Sequence, residues 1–123
     1  MKPKKRFLTL FFIVATTALA ISATQREIVI HTGGGNNGHG LIYVEPPVVT
    51  YDEELNELTV FFGSDSTIDI EYDDGTGYPY YYIYGESHYG YTSTTYYNLS
   101  AGYYSITIHG EFGMTYTGNF TVS

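Results

Sequence analysis

Beyond residue 40 the apolar positions recur with period two. Leu58, Val60 and Phe62 share one face of the run Leu58–Phe62, and Ile68, Ile70 and Tyr72 share one face of Ile68–Tyr72. Strict alternation of this kind predicts half-buried β-strands. Tyr104, Ile106 and Ile108 repeat the pattern over Tyr104–His109, and a last strand covers Tyr116–Val122. Val48–Tyr51 reads as a strand running into the acidic turn Asp52-Glu53-Glu54. Leu41–Val44 is β-prone but stops at Glu45-Pro46-Pro47, and proline cannot donate to a ladder, which puts that run at a sheet edge or a strand start. Asp73-Asp74-Gly75-Thr76-Gly77 has hairpin chemistry, because Asp and Gly tolerate the positive φ of tight turns. An aromatic strand, Tyr78–Tyr84, follows, then a turn over Gly85–Gly90 and a Thr/Tyr strand over Tyr91–Leu99.

No window holds a helical period. About seven to eight short strands with turns every ten residues or so predict an antiparallel β-sandwich. The spacing Leu99-x-x-Gly102-x-Tyr104 is that of a tyrosine corner, in which a phenol ties back to nearby backbone; the plainer alternative is a strand with a buried Tyr.

The N-terminus breaks the pattern. Lys2, Lys4, Lys5 and Arg6 precede an apolar run from Phe7 to Ala23 that ends in small residues, the three-part layout of a secretory signal peptide. Thr9, Thr16, Thr17 and Ser22 interrupt the run, which is short for a membrane span of about 20 apolar residues. Cleavage after Ala20 or Ala23 fits, and residues 1–23 are taken as the leader, leaving no transmembrane span. Residues 24–40 then hold a β-prone piece, Arg26–His31, and a Gly-rich loop from Thr32 to Gly40 with no side chain suited to a core. Residues 41–123 form the sandwich domain.

Composition changes meaning once the leader is set apart. The 123 residues carry five Lys+Arg against thirteen Asp+Glu, a formal charge of −8, and no Cys. Beyond residue 23, Arg26 is the sole basic side chain and every carboxylate remains. Such a surface repels nucleic acid and anionic membranes, which bind through clustered Lys and Arg. The lack of Cys excludes disulfides, thiolate metal sites and a cysteine nucleophile. Fifteen Tyr and fourteen Gly reinforce the β reading.

The leader, Glu27-Ile-Val-Ile-His31 with its Gly-rich loop, Pro46-Pro47-Val48, Asn56-Glu57-Leu58-Thr59-Val60, the Asp73-Asp74-Gly75 turn, the Leu99-x-x-Gly-x-Tyr104 spacing and the closing Gly118-x-Phe120 together resemble a family of small secreted proteins of unknown function from gut Bacteroidota. The resemblance runs over essentially the whole chain and rests on fold-level motifs. It implies an immunoglobulin-like sandwich exported across the inner membrane, with no catalytic residues to carry over. The Tyr density between Tyr78 and Tyr104 departs from it.

That density supplies the candidate site. Tyr78-Pro79-Tyr80-Tyr81-Tyr82-Ile83-Tyr84 sets aromatic rings on both faces of a strand, whereas a sandwich sheet has one core face. Tyr80, Tyr81, Tyr82, Tyr84, Tyr89 and Tyr91 are the expected ligand platform, with Tyr96 and Tyr97 extending it by cross-strand pairing. Exposed Tyr offers flat apolar area with a polar tip, suited to sugar rings or a protein surface. The competing reading is that Tyr pairs only stiffen the sheet.

Other constellations are weaker. Asp69-x-Glu71-x-Asp73-Asp74-Gly75 misses calcium-loop spacing, since Asp74 stands where the Gly belongs and Tyr80 where the bidentate acid belongs. Glu86-Ser87-His88 lacks the Gly-x-Ser-x-Gly elbow and falls in the turn predicted over Gly85–Gly90. His31 and His39 flank a floppy loop that holds no ligand geometry. Asp65-Ser66-Thr67 has the form of a short acid-hydroxyl glycosylation motif in an expected loop. The expectation is a non-catalytic binding or adhesion module, secreted or periplasmic, without cofactor or metal, that meets a glycan or a cell-envelope protein; the alternative is an accessory envelope module that adds Arg26–His31 as an edge strand to a partner.

Overall fold

The computed structural model describes residues 25–34 and 44–123. Residues 1–23, expected as a leader, His39 with the rest of residues 35–40, and Leu41–Tyr43 lie outside the described residues. Among the described residues nine strands form: β1 (Gln25–Ile28), β2 (His31–Gly34), β3 (Val48–Asp52), β4 (Glu57–Phe62), β5 (Ser66–Asp73), β6 (Tyr80–His88), β7 (Thr92–Tyr96), β8 (Gly102–His109) and β9 (Met114–Val122). A 3-10 turn, Glu111–Gly113, sits before β9. All pairings are antiparallel, in a four-stranded sheet of order β1-β3-β4-β7 and a five-stranded sheet of order β2-β9-β8-β5-β6. Among the described residues no helix is long and apolar enough to cross a membrane.

The alternation seen in the sequence is the alternation of burial. Val49, Leu58, Val60 and Phe62 of one sheet and Ile68, Ile70, Ile106, Ile108 and Tyr116 of the other are buried in a common core. Each buries roughly 1.5–3 kcal/mol of transfer free energy, so the core is carried by few aliphatic side chains. Aromatic rings complete one end of it. Tyr104 stacks on Phe120 at 4.9 Å, and Tyr51 tilts against Phe120 at 5.3 Å.

The tyrosine corner is present. The Tyr104 hydroxyl donates to the Ser100 carbonyl at 2.7 Å, closing the approach to β8. Tyr72 makes a parallel bond, donating to the Ala101 carbonyl at 2.5 Å, so two phenols hold the same loop. Burial pushes the Tyr104 hydroxyl up to about 12, because a buried phenolate would lose its hydration.

Residues 25–34 belong to the sandwich, which corrects the expected boundary at residue 41. β1 pairs with β3 and β2 pairs with β9, so one short segment closes both sheets on the same side. Thr32, Gly33 and Gly34, expected in a loop, are strand residues. The open backbone edge of β9 needs only N–H and C=O groups from its neighbour, and β2 contributes those while its four residues stay exposed. Arg26 fastens the segment: it pairs with Glu53 at 2.9 Å, donates to the Thr121 carbonyl at 3.2 Å and lies over the Tyr51 ring. Arg26–Ile28 and His31 are thus engaged within their own chain.

The stretch expected as a turn over Gly85–Gly90 is also different. β6 continues to His88, and the chain reverses at residues 89–91. Two irregularities interrupt the β5–β6 register, one on either side of Ile70, and the Gly85 N–H donates to the Asp69 carboxylate at 2.7 Å. Gly85 marks a bulge of an edge strand rather than its end.

Candidate functional site

The six candidate tyrosines do not form one platform. β6 is an edge strand, and β7 pairs with β4 in the opposite sheet, so β7 provides no cross-strand partners for it. Tyr96, expected on the platform, is buried, and Tyr97 is exposed beyond the end of β7. The sequence could not separate these cases, because a hairpin and a crossing between sheets use similar turn residues.

Three groups replace the single row. Tyr80 and Tyr82 turn toward the core side of β6, where Tyr80 meets Tyr72 edge-on at 5.5 Å and Tyr82 meets Tyr96 and Tyr104 edge-on at 6.3 and 6.2 Å. These two rings lie along the open side of the sandwich and are themselves 59% and 40% exposed. Tyr81 and Tyr84 lie together on the outer face, 4.6 Å between centroids, and are 51% and 73% exposed. Tyr89 and Tyr91 stand in the reversal after β6, at the far end of the strand from Tyr80. Tyr91, with φ 59°, meets Phe61 edge-on at 6.5 Å.

The outer pair sits beside carboxylates. Tyr81 is the register partner of Glu71, and its phenol is held above the ordinary value by desolvation first, then by the charges of Glu71 and Asp69. Asp69 and Asp73 accept backbone hydrogen bonds: Asp69 takes the Gly85 N–H, and Asp73 takes the N–H groups of Gly75 and Gly77 at 2.8 and 3.1 Å. Among the described residues no group of three metal-ligating side chains comes together. Ser66 of the acid-hydroxyl motif opens β5, with its hydroxyl donating to the Ser64 carbonyl at 2.7 Å.

Sequence reasoning missed a polar cluster on the core side of β6. Because Glu86 and His88 are two apart on a strand, they share a face, with His88 Nε2 at 2.7 Å from Glu86 Oε1, while Ser87 alternates away as the partner of Thr67. The expected turn would have kept them apart. Tyr96 donates its hydroxyl to the same Glu86 oxygen at 2.5 Å, and the His88 ring stacks on Phe62 at 4.4 Å. Glu86 therefore links the edge strands of the two sheets. The Tyr96 hydrogen bond is the first cause holding the Glu86 carboxyl below its ordinary 4.5, and burial, followed by the Glu86 contact, pushes the Tyr96 phenol well above its ordinary 10.0.

Replacing Tyr96 by Phe is expected to cost about 1–2 kcal/mol, less than a fully buried charged hydrogen bond because the Glu86 side chain is 41% exposed. The pH dependence has a definite sign. A depressed Glu86 value stabilises the fold above about pH 4.5 and is lost as pH falls through the folded value. A raised Tyr96 value stabilises it below about pH 10 and is lost as pH rises further. The difference between wild type and Tyr96→Phe in urea melts is thus expected to be largest between about pH 5 and 10 and to shrink on both sides. A difference independent of pH contradicts the Glu86 link.

No protein-family model matches the sequence, and no curated protein is similar to it. Among solved structures, the chain is similar to a DUF3244 family protein with an immunoglobulin-like β-sandwich fold from Bacteroides vulgatus. The TM-score is 0.54 at 22% identity over 80% of this chain and 99% of that one. With its two antiparallel sheets and that neighbour, the chain has an immunoglobulin-like β-sandwich fold.

Proposed function

We propose that the protein is a non-catalytic binding module that works outside the inner membrane, secreted or periplasmic, and holds a glycan against the outer face of β6. The observation that carries this reading is the Tyr81–Tyr84 pair. Both rings lie on the side of the sheet away from the core, where nothing in the packing calls for aromatic area. Tyr rings so placed bind the apolar faces of sugars at small entropic cost, with hydroxyls for the polar edges. Export follows from the basic, apolar and small-residue leader, and the resemblance to small secreted Bacteroidota proteins supports the same compartment. The scarcity of basic side chains argues against nucleic acid as partner.

The test is a glycan array run beside a pull-down from envelope proteins. Hits on glycans are expected. An array without hits, with capture of an envelope protein that disappears on deleting residues 24–32, overturns the reading in favour of edge-strand addition.

A further inference from the structure

We propose that the hollow at the end of β6, lined by Thr67, Ser87, Tyr89 and His109, is a subsite for a neutral sugar ring, in line with the Tyr81–Tyr84 pair. The proposal rests on the glycan-binding reading above and names the part of the surface that reads hydroxyl groups.

The hollow is an open depression of about 500 Å³ on the surface of the sheet. Its floor follows from strand register. Ser87 on β6 pairs with Thr67 on β5, and Thr67 pairs with His109 on β8, so three polar side chains form a row across adjacent strands. Strands lie about 4.8 Å apart, which spaces the row like hydroxyls on opposite sides of a pyranose. His109 is oriented before any ligand arrives. Its Nε2 lies 3.2 Å from Asp69 Oδ2, and the other oxygen of Asp69 accepts the Gly85 N–H at 2.7 Å. The carboxylate oxygen can only accept, so Nε2 carries the proton toward it, and in the neutral ring Nδ1 is then an acceptor. One nitrogen acceptor beside two hydroxyls, each donor and acceptor, matches the mixed hydrogen bonding of a sugar. Tyr89, 78% exposed on the rim, adds a flat ring for the C–H face.

Charge and polarity exclude other ligand classes. Asp65 lines the hollow and Asp69 adjoins it, while Arg26, the only Lys or Arg among the described residues, is tied to Glu53 on the opposite side of the sandwich. A phosphate, sulfate or uronate finds no Lys or Arg here, and the two imidazoles that line the hollow, His88 and His109, each already face a carboxylate, Glu86 and Asp69. No aliphatic side chain lines the walls, which leaves nothing for a lipid. Ser87 follows Tyr84 by three positions along β6, about 10 Å of strand, so an extended saccharide lying along the edge reaches both the ring pair and the hollow.

The experiment is an NMR titration of the mature protein with cellohexaose, maltohexaose and mannohexaose, and with oligogalacturonate as an acidic control. It is run on wild type, His109→Ala, Ser87→Ala and Tyr81→Ala/Tyr84→Ala. A neutral hexasaccharide is expected to shift the His109 and Tyr89 signals together with those of Tyr81 and Tyr84. His109→Ala is expected to weaken binding about tenfold and Ser87→Ala about fivefold, with melting temperatures close to wild type. Binding that both single variants leave unchanged, yet the double Tyr variant abolishes, overturns the subsite and leaves the Tyr platform standing. Tighter binding of oligogalacturonate overturns the charge argument and with it the subsite. Failure of every hexasaccharide to bind overturns both the subsite and the platform.

Discussion

Gly102→Ala is expected to cost about 3 kcal/mol or more in urea unfolding, because two independent penalties fall on one methyl group. Gly102 opens β8 with φ 149°, a backbone state that L side chains rarely adopt. A Cβ there would lie 2.6 Å from the Tyr72 ring and 2.7 Å from the Asp73 carbonyl. Neither neighbour yields easily. Asp73 is backbone held in the β5–β8 ladder, and the Tyr72 ring is fixed by its bond to Ala101 and by rings of Tyr80 and Tyr104 at 5.5 and 4.9 Å. The Gly of the Leu99-x-x-Gly-x-Tyr104 spacing is thus required by the second phenol, Tyr72, that ties the same loop. A loss below about 1 kcal/mol contradicts this account of the corner.

Gly118→Val is expected to release the N-terminal segment from β9, with a loss of about 3 kcal/mol. Val29 and Ile30 carry the chain from one sheet to the other, and they cross directly over Gly118. A Cβ at that position would stand 2.8 Å from the Val29 carbonyl and 2.8 Å from Ile30 Cδ1. Displacing the crossing exposes Ile28, which is buried at the end of β1, and breaks the β2–β9 ladder. Hydrogen exchange reads the result by region. Amides of Gln25–Gly34 are expected to lose protection while those of β5 and β8 keep it. Unchanged protection across Gln25–Gly34 contradicts the crossing as the constraint on Gly118.

Where side chains report burial, the sequence was readable. The faces Leu58/Val60/Phe62, Ile68/Ile70/Tyr72 and Tyr104/Ile106/Ile108 are the inward faces, and the Asp73–Gly77 hairpin stands where its turn residues put it. What escaped is what backbone alone decides. β2 pairs through groups that every residue has, so Thr32-Gly33-Gly34 carried no signal. Gly85 serves a bulge with the same chemistry that serves a turn, and misreading it hid the shared face of Glu86 and His88. The tyrosines were legible as a surplus but not by face. Register shifts on either side of Ile70 send Tyr80 and Tyr82 inward and Tyr81 and Tyr84 outward, and no local pattern specifies those shifts.

The central claim is that Tyr81 and Tyr84 serve a ligand rather than the fold. The binding isotherm of Tyr81→Ala/Tyr84→Ala for a glycan held by wild type, read beside the urea midpoint of the same sample, tests it most directly. Binding is expected to disappear while unfolding free energy stays within about 1 kcal/mol of wild type, the modest worth of an exposed aromatic pair. Binding that survives the double substitution, or a stability loss of about 3 kcal/mol that alone accounts for its disappearance, contradicts the claim.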